Sequence, residues 1–448
     1  VLIKGDATNL SFAAGLSALN LDPIHIKKTY FEGNLKNQKL LLGFSSVDKG
    51  KKVAHIASEM TLKKDTTRIR INPAGLILDR KEWSVPQDNQ ITLAKNFMAF
   101  ENVALTKNAQ RLSISNTISG VEKEHLGIVF ESFRLQTLLS LLNPDEALAS
   151  GLVKGNFILE NPFGAKGIVA DFRIDDLEVF KNPLGNLSLD ATSRDNSVYD
   201  FNLSVKDGGM DIDLKGDYAA AETGATLDLD LDLNRVDLKF IEGFSDGALK
   251  DSHGTISGNI DLFGTTSDPK YKGAINFNAA DFNVASLNSV FKIPDETLKL
   301  DTDGLYLDNF RIADANDSNF TLDGAILTKN LMNPEFDLKL SAKKFGILNS
   351  TKEDNPLFYG KASLDADVWV KGDLKLPKVE GKLRLREVTN ITYVVPESQL
   401  DIEERDGVVI FVDRKNTDAI LTRKSQEETT SSFQGMDLQA VLEIADDA

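Results

Sequence analysis

Seven residues constrain this chain more than any other stretch: Leu227-Asp-Leu-Asp-Leu-Asp-Leu233 alternates apolar and acidic side chains without a break. Successive side chains of a strand point to opposite faces, so the run puts every Leu on one face and every Asp on the other. A helix would wind Asp228, Asp230 and Asp232 around most of its circumference and leave no apolar stripe. The same period of two recurs in Phe336-Asp-Leu-Lys-Leu340, in Leu383-Arg-Leu385 and, in part, in Ile256-Ser-Gly-Asn-Ile260. Turn chemistry separates such runs, at Asp207-Gly-Gly209, Lys215-Gly216, Asp303-Gly304, Asp323-Gly324 and Asp406-Gly407. The pattern predicts an all-β chain of antiparallel strands joined by hairpins. Helical spacing is confined to short stretches: Leu135, Leu138, Leu139 and Leu142 before Asn143-Pro144, with weaker candidates at residues 238–244 and 345–348.

Three signatures recur in the same order, which predicts tandem units of roughly a hundred residues. The first is an aromatic residue three positions before a proline: Trp83/Pro86, Phe180/Pro183, Phe291/Pro294 and Tyr393/Pro396, with the prolines 97, 111 and 102 residues apart. The second sets Gly264, Pro269 and Gly273 against Gly372, Pro377 and Gly381 at a constant offset of 108, with a looser copy from Gly151 to Gly167. The third sets Asp213-Leu-Lys-Gly216 against Thr321-Leu-Asp-Gly324, again 108 apart. The expected division is a divergent first unit over 1–150, a second over 151–250, a third over 251–354 and the start of a further domain over 355–448. Within the last, the polar stretch 422–434 reads as a flexible insertion. Trp83, Phe180, Phe291 and Tyr393 read as hydrophobic plugs at the junctions. Units of this kind contact only their neighbours, and their Gly-rich strand texture suits a long, curling sheet.

Charge and composition exclude several functions. The net charge of −17 argues against nucleic acid, whose phosphates need a basic stripe. A hydrophobic fraction of 41% and a charged fraction of 27% exclude wholesale disorder. There is no Cys for a disulfide or a zinc–thiolate site, and His25, His55, His125 and His253 lack metal-ligand spacing. No apolar run approaches the ~20 residues of a membrane-spanning helix. The chain begins at Val1 without a signal peptide and ends in a strand-like run, Leu438 to Ile444, so it is expected to be part of a longer protein.

Catalytic motifs are equally thin. No Gly-x-Gly-x-x-Gly or Walker loop is present. Gly254-Thr-Ile-Ser-Gly258 sets Ser257 one place out of register for a nucleophile elbow. Asp211-Ile-Asp213 lacks a Gly-centred calcium loop. Asp314-Ala-Asn-Asp-Ser318 reads as a hairpin loop, and His253 beside Gly254 as a turn residue. No enzymatic activity, metal or cofactor is expected.

The apolar face admits two readings. It packs against a second layer, as in tandem sandwiches, or it lines an open groove for an apolar ligand. The candidate groove residues are Leu227, Leu229, Leu231, Leu233, Ile256, Ile260, Ile275, Phe277, Phe336, Leu338, Leu340, Leu364, Leu383 and Leu385. The Asp-rich opposite face reads as a solvated one that discourages edge pairing.

The C-terminal third carries Pro377-Lys-Val-Glu-Gly381-Lys-Leu-Arg-Leu-Arg-Glu387, then Val395-Pro396, Leu400-Asp-Ile402 and Gly407-Val-Val-Ile-Phe411. In this order the motifs resemble the C-terminal domain of the TamB family, the inner-membrane component of the translocation and assembly module. That family belongs to the AsmA-like, bridge-like lipid transfer proteins. Residues 150–350 resemble its repetitive body, and Asn390-Ile-Thr-Tyr-Val-Val-Pro396 resembles Bacteroidetes-type members. The resemblance implies a β-taco, a half-pipe with an apolar concave side, in the periplasm of a Gram-negative bacterium. It implies an inner-membrane anchor through an N-terminal helix absent from this sequence, and an Omp85-type outer-membrane barrel as partner. It favours the groove reading, with phospholipid as the ligand. Two alternatives stay open: assembly or secretion of outer-membrane proteins through strand-edge pairing, and a passive structural spacer.

Overall fold

The strictly alternating runs become strands: residues 227–233 lie in Thr226–Asp237, residues 336–340 in Glu335–Ser350 and residues 383–385 in Lys378–Leu385. The computed structural model describes residues 2–5, 9–21, 23–195, 197–222, 224–330, 332–386, 389–394 and 437–444. Strand makes up 70% of it, and among the described residues the helices are two short ones, Gln136–Leu139 and Leu238–Glu242. The sheets are large, curved and antiparallel, and none closes into a barrel. Pro396, Leu400, Ile402, the Asp406-Gly407 turn, residues 407–411 and the insertion expected at 422–434 lie outside the described residues.

The chain forms two compact units. The first comprises residues 1–282 with 293–302. Its N-terminal sheet pairs Leu2–Gly5, Asn9–Leu16, Lys28–Lys36, Lys39–Asp48, Lys51–Leu62, Thr66–Ile71, Gln90–Ala94 and Phe97–Glu101 as successive antiparallel neighbours. A second sheet runs in chain order from Val103–Lys107 to Leu249–Thr265, every strand antiparallel to the one before. The segment between Thr66–Ile71 and Gln90–Ala94 packs onto this second sheet. Leu76, Leu78, Trp83 and Val85 form one buried cluster with Leu112, Phe133, Val153, Ile174 and Leu177. The Trp83 ring lies 5.5 Å from that of Phe133, and its indole N–H donates to the Leu78 carbonyl at 3.3 Å. Each such side chain contributes about 1.5–3 kcal/mol by leaving water.

The second unit comprises residues 283–292 with 303–448. Gly304–Ala313, Asn319–Leu327, Glu335–Ser350, Phe358–Asp373 and Lys378–Leu385 pair antiparallel in that order. Asp437–Ile444 then adds to Lys378–Leu385 in parallel, a departure from the antiparallel expectation.

Bulges account for most of the local disagreements with the sequence reading. Ser132, Asn309 and Lys344 have φ of 45°, 49° and 50°, and each sits where the ladder register shifts. A bulge sets two residues opposite one, so residues three apart come to share a face. Phe130 and Phe133, Leu307 and Phe310, and Ala342 and Phe345 are paired in this way on one face. The helix expected at 345–348 is therefore a strand, part of Glu335–Ser350. A further shift between Gly346 and Leu348 buries Phe345 and Leu348 together, which copies the i, i+3 spacing of a helix.

Other expectations change for related reasons. Gly216 and Gly324 are not turn residues but lie inside Met210–Ala219 and Asn319–Leu327. Their φ values are 143° and 122°, and a Cβ there would come within 2.1 and 2.0 Å of the Asp228 and Asp337 carbonyl oxygens. The glycine serves close strand approach rather than reversal. Gly264 and Gly372, 108 positions apart, share a φ of 94°. His253 is likewise within a strand, Leu249–Thr265, where its Nδ1 lies 3.0 Å from Asp281. The helix Gln136–Leu139 and the turn after it bury Thr137, Ser140 and Asn143, and leave Leu138 and Leu142 exposed.

Candidate functional site

Directly paired residues of an antiparallel ladder share a face, so the register maps the apolar surface strand by strand. In the second sheet of the first unit, Leu105, Leu112, Phe130, Gly155, Phe172, Leu189, Leu203, Leu214, Leu231 and Ile260 are successive partners. A row beside it runs Val103, Ile114, Ile128, Phe157, Ala170, Ala191, Phe201, Gly216, Leu229 and Leu262. A third runs Phe133, Val153, Ile174, Leu187, Val205, Ile212, Leu233 and Gly258. No residue of these rows is charged. On the opposite face, Asn202, Lys215, Asp230 and Asp261 are successive partners, and Lys215 pairs with Asp232 at 3.2 Å.

Coverage of the face changes along the sheet. Over its first strands the Trp83 segment covers it, and the third row is buried there. Leu189, Leu203, Leu214, Leu231 and Ile260 in the first row are only partly buried. At the end of the third row Val236 and Leu238 are buried, and the Phe240 ring lies against Gly209.

The second unit repeats the arrangement. Phe310, Leu322, Leu340, Val368 and Gly381 form one row, and Ile312, Phe320, Ala342, Ala366 and Leu383 the next. Leu307, Gly324, Leu338, Val370 and Val379 form a third.

The residues singled out from sequence fall on these faces. Leu227, Leu229, Leu231, Leu233 and Ile260 share one, and Ile256 joins them past the bulge as the partner of Val236. Ile275 lies beside Gly258, and Phe277 is partly buried two positions further along the same strand. Phe336, Leu338, Leu340, Leu364, Leu383 and Leu385 share the apolar face of the second unit. Sequence reasoning missed Phe130, Phe157, Phe172, Leu189, Phe201, Leu203 and Leu214. Alternation was available in Phe201-Asn-Leu-Ser-Val205 and Ile212-Asp-Leu214. It also missed an apolar row across the N-terminal sheet: Leu10, Leu35, Leu40, Met60, Ile69, Ile91 and Phe100.

The four junction aromatics divide. Trp83 and Phe291 are buried, Phe291 stacked on Phe345 at 5.7 Å. Phe180 is exposed and meets Phe244 edge-on at 6.2 Å, while Tyr393 is exposed on Asn390–Tyr393.

At the strand ends remote from the third row, a polar cluster closes the sheet. Tyr199, fully buried, donates its hydroxyl to Glu160 at 2.7 Å, and the Lys123 ammonium reaches Glu160 at 2.9 Å and the Tyr199 oxygen at 3.2 Å. Burial works against the Lys123 charge, but the bonds to Glu160 and Tyr199 outweigh it and hold its pKa above the usual value. Burial, then the bond to Glu160, pushes the Tyr199 phenol up. Among the described residues no group of His, Asp and Glu is arranged to hold a metal, and no helix is long and apolar enough to cross a membrane.

The second unit's sequence is also similar to a known family. Residues 308–447 match the family model of the TamB C-terminal domain. This part of the chain is TamB-like. The TamB match begins within Gly304–Ala313 and takes in the rest of the second unit's sheet, including Asp437–Ile444. The match associates residues 308–447 with a cell-envelope family of the translocation and assembly module, one not known as enzymatic. Nothing among curated proteins or solved structures matches the chain.

Proposed function

We propose that this chain carries phospholipid acyl chains along its apolar face, as the periplasmic part of a protein that links the inner and outer membranes. The observation that carries the reading is the set of uncharged apolar rows, two of them ten paired residues long, the first of which keeps Leu189, Leu203, Leu214, Leu231 and Ile260 partly open. Burying an acyl chain gains about 0.8 kcal/mol per CH₂, so such a surface lowers the barrier to moving lipid through water. Rows of similar Leu, Ile, Val and Phe contacts offer no single deep site that would trap the cargo. Head groups stay in water at the open side. The matched backbone at Gly264 and Gly372 supports reading the body as tandem copies of one unit, which extends a uniform groove by repetition. An Omp85-type barrel is the expected receiver at the outer membrane.

The test is made on the chain purified without detergent. Native mass spectrometry with solvent extraction compares the wild type with Leu229→Lys/Leu231→Lys, which places two charges in adjacent rows. Phospholipid on the wild type, reduced on a folded variant, is the expected result. A lipid-free wild type that unfolds cooperatively would mean that protein covers the face, and would end the conduit reading.

A second reading is favoured by one specific observation. Asp437–Ile444 is added in parallel to the edge of Lys378–Leu385, so that edge accepts an added strand. An assembly factor would use such an edge to pair with client strands. It would then be sensitive to proline on the edge strand and indifferent to Leu229→Lys/Leu231→Lys.

A further inference from the structure

The second unit holds a cavity of about 620 Å³, of a size that takes a small organic ligand. Lys344, Lys361 and Arg386 line it, and Val290, Leu348 and Ala362 supply an apolar part of its wall. Three cations around one cavity are unexpected in a chain with a net charge of −17. On the same two strands Lys339 pairs with Asp367 and Lys371 with Asp337. Among the described residues Lys344 and Lys361 make no ion pair.

One carboxylate, Asp314, also lines the cavity, and it and Asp365 are each engaged by other groups. Asp314, almost fully buried, accepts the backbone N–H groups of Asn316, Ser318 and Gly346 at 2.8, 2.9 and 2.6 Å. Asp365 pairs with Arg386 and accepts the Lys344 backbone N–H at 2.8 Å. This one carboxylate thus holds the Arg386 guanidinium and the backbone at Lys344, and leaves the Lys344 ammonium unpaired by it. The bulge at Lys344, with its φ of 50°, re-aims that residue out of the strand's alternation.

We infer that this cavity binds a phosphate-bearing anion with a small organic part. The Lys344 and Lys361 ammonium groups offer charge-assisted donors to phosphate oxygens without a fixed geometry, beside a guanidinium already held by Asp365. The apolar wall suits a glycerol or short-chain moiety rather than the bare ion. The same chemistry is carried by a soluble phosphate ester and by a phospholipid head group. The inference does not depend on the groove reading, since a soluble ester needs no acyl surface.

The experiment is isothermal titration of the whole chain in low-salt, phosphate-free buffer. One arm uses glycerol 3-phosphate and the other dihexanoylphosphatidylglycerol below its micelle concentration. Each is repeated on Lys344→Gln/Lys361→Gln and on the control Lys339→Gln, with circular dichroism to confirm folding. Losing two charge-assisted contacts should weaken binding about tenfold or more, while the control stays at wild-type affinity. Loss in both arms identifies a site for phosphate esters in general, and loss in the lipid arm alone identifies a head-group site. Failure of both probes to bind overturns the inference, as does binding that the double substitution leaves unchanged. Lipid binding abolished by Leu229→Lys/Leu231→Lys but not by the lysine changes would leave the groove standing and this site overturned.

Discussion

At the scale of single residues, Lys123, Glu160 and Tyr199 make the sharpest statement about stability. The folded state raises the pKa of both Lys123 and Tyr199, so it binds their protons more tightly than the unfolded chain does. That stabilisation is complete below their unfolded values, near pH 10, and is lost as pH rises through the folded ones. The cluster should therefore add no pH dependence between about pH 6 and 9, and a decline in the urea midpoint above about pH 10. Tyr199→Phe removes one titrating group and leaves Glu160 short of a donor, at a cost of about 1–3 kcal/mol at neutral pH. Urea midpoints measured from pH 6 to 11 check both points. An alkaline decline equally steep in Tyr199→Phe would show that the phenol takes no part in it.

At the scale of elements, the bulges decide which side chains reach the apolar face. Ser132, at φ 45°, separates Phe130 from Phe133, and Phe133 is fully buried beneath Trp83. Glycine adopts this backbone freely, so Ser132→Gly should be neutral or stabilising by up to ~1 kcal/mol. Deleting Ser132 leaves Phe130 and Phe133 two positions apart, the regular alternation, so Phe133 should keep its face and the loss should stay well below the ~3–5 kcal/mol of a buried Phe→Ala change. Thermal and urea unfolding of the two variants check both, and a deletion as costly as Phe133→Ala would refute the parity argument. The same bulges set the limit on what the sequence showed. Strict alternation over residues 227–233 and 336–340 was legible because no bulge interrupts it. Residues 345–348 copied a helix because two register shifts lie within a few positions. Gly216 and Gly324 copied turns because a glycine required by a neighbouring strand looks, in one dimension, like a glycine required by a reversal. The early rows, through Phe130, Phe157 and Phe172, were hidden because their strands mix glycine and bulges into the alternation. The cover supplied by Trp83 was also invisible, since it depends on contacts between segments 50 residues apart.

At the scale of the whole molecule, the issue is whether apolar capacity is concentrated or spread. A discrete lipid site would depend on a few side chains, and one charged pair within it would abolish binding. Rows that keep the same chemistry from Leu105 to Ile260, and again from Phe310 to Val368, imply spread capacity. Substitutions that share no partners add in their effects, whereas residues of one site do not. Leu229→Lys/Leu231→Lys in the first unit and Leu338→Lys/Leu340→Lys in the second should each remove part of the bound lipid. Combined, they should remove about the sum of the two losses. Phospholipid phosphorus per mole of folded chain, measured for all four proteins, gives the comparison directly. Complete loss from either pair alone would indicate one concentrated site, and the conduit would have to be abandoned in favour of a binding pocket.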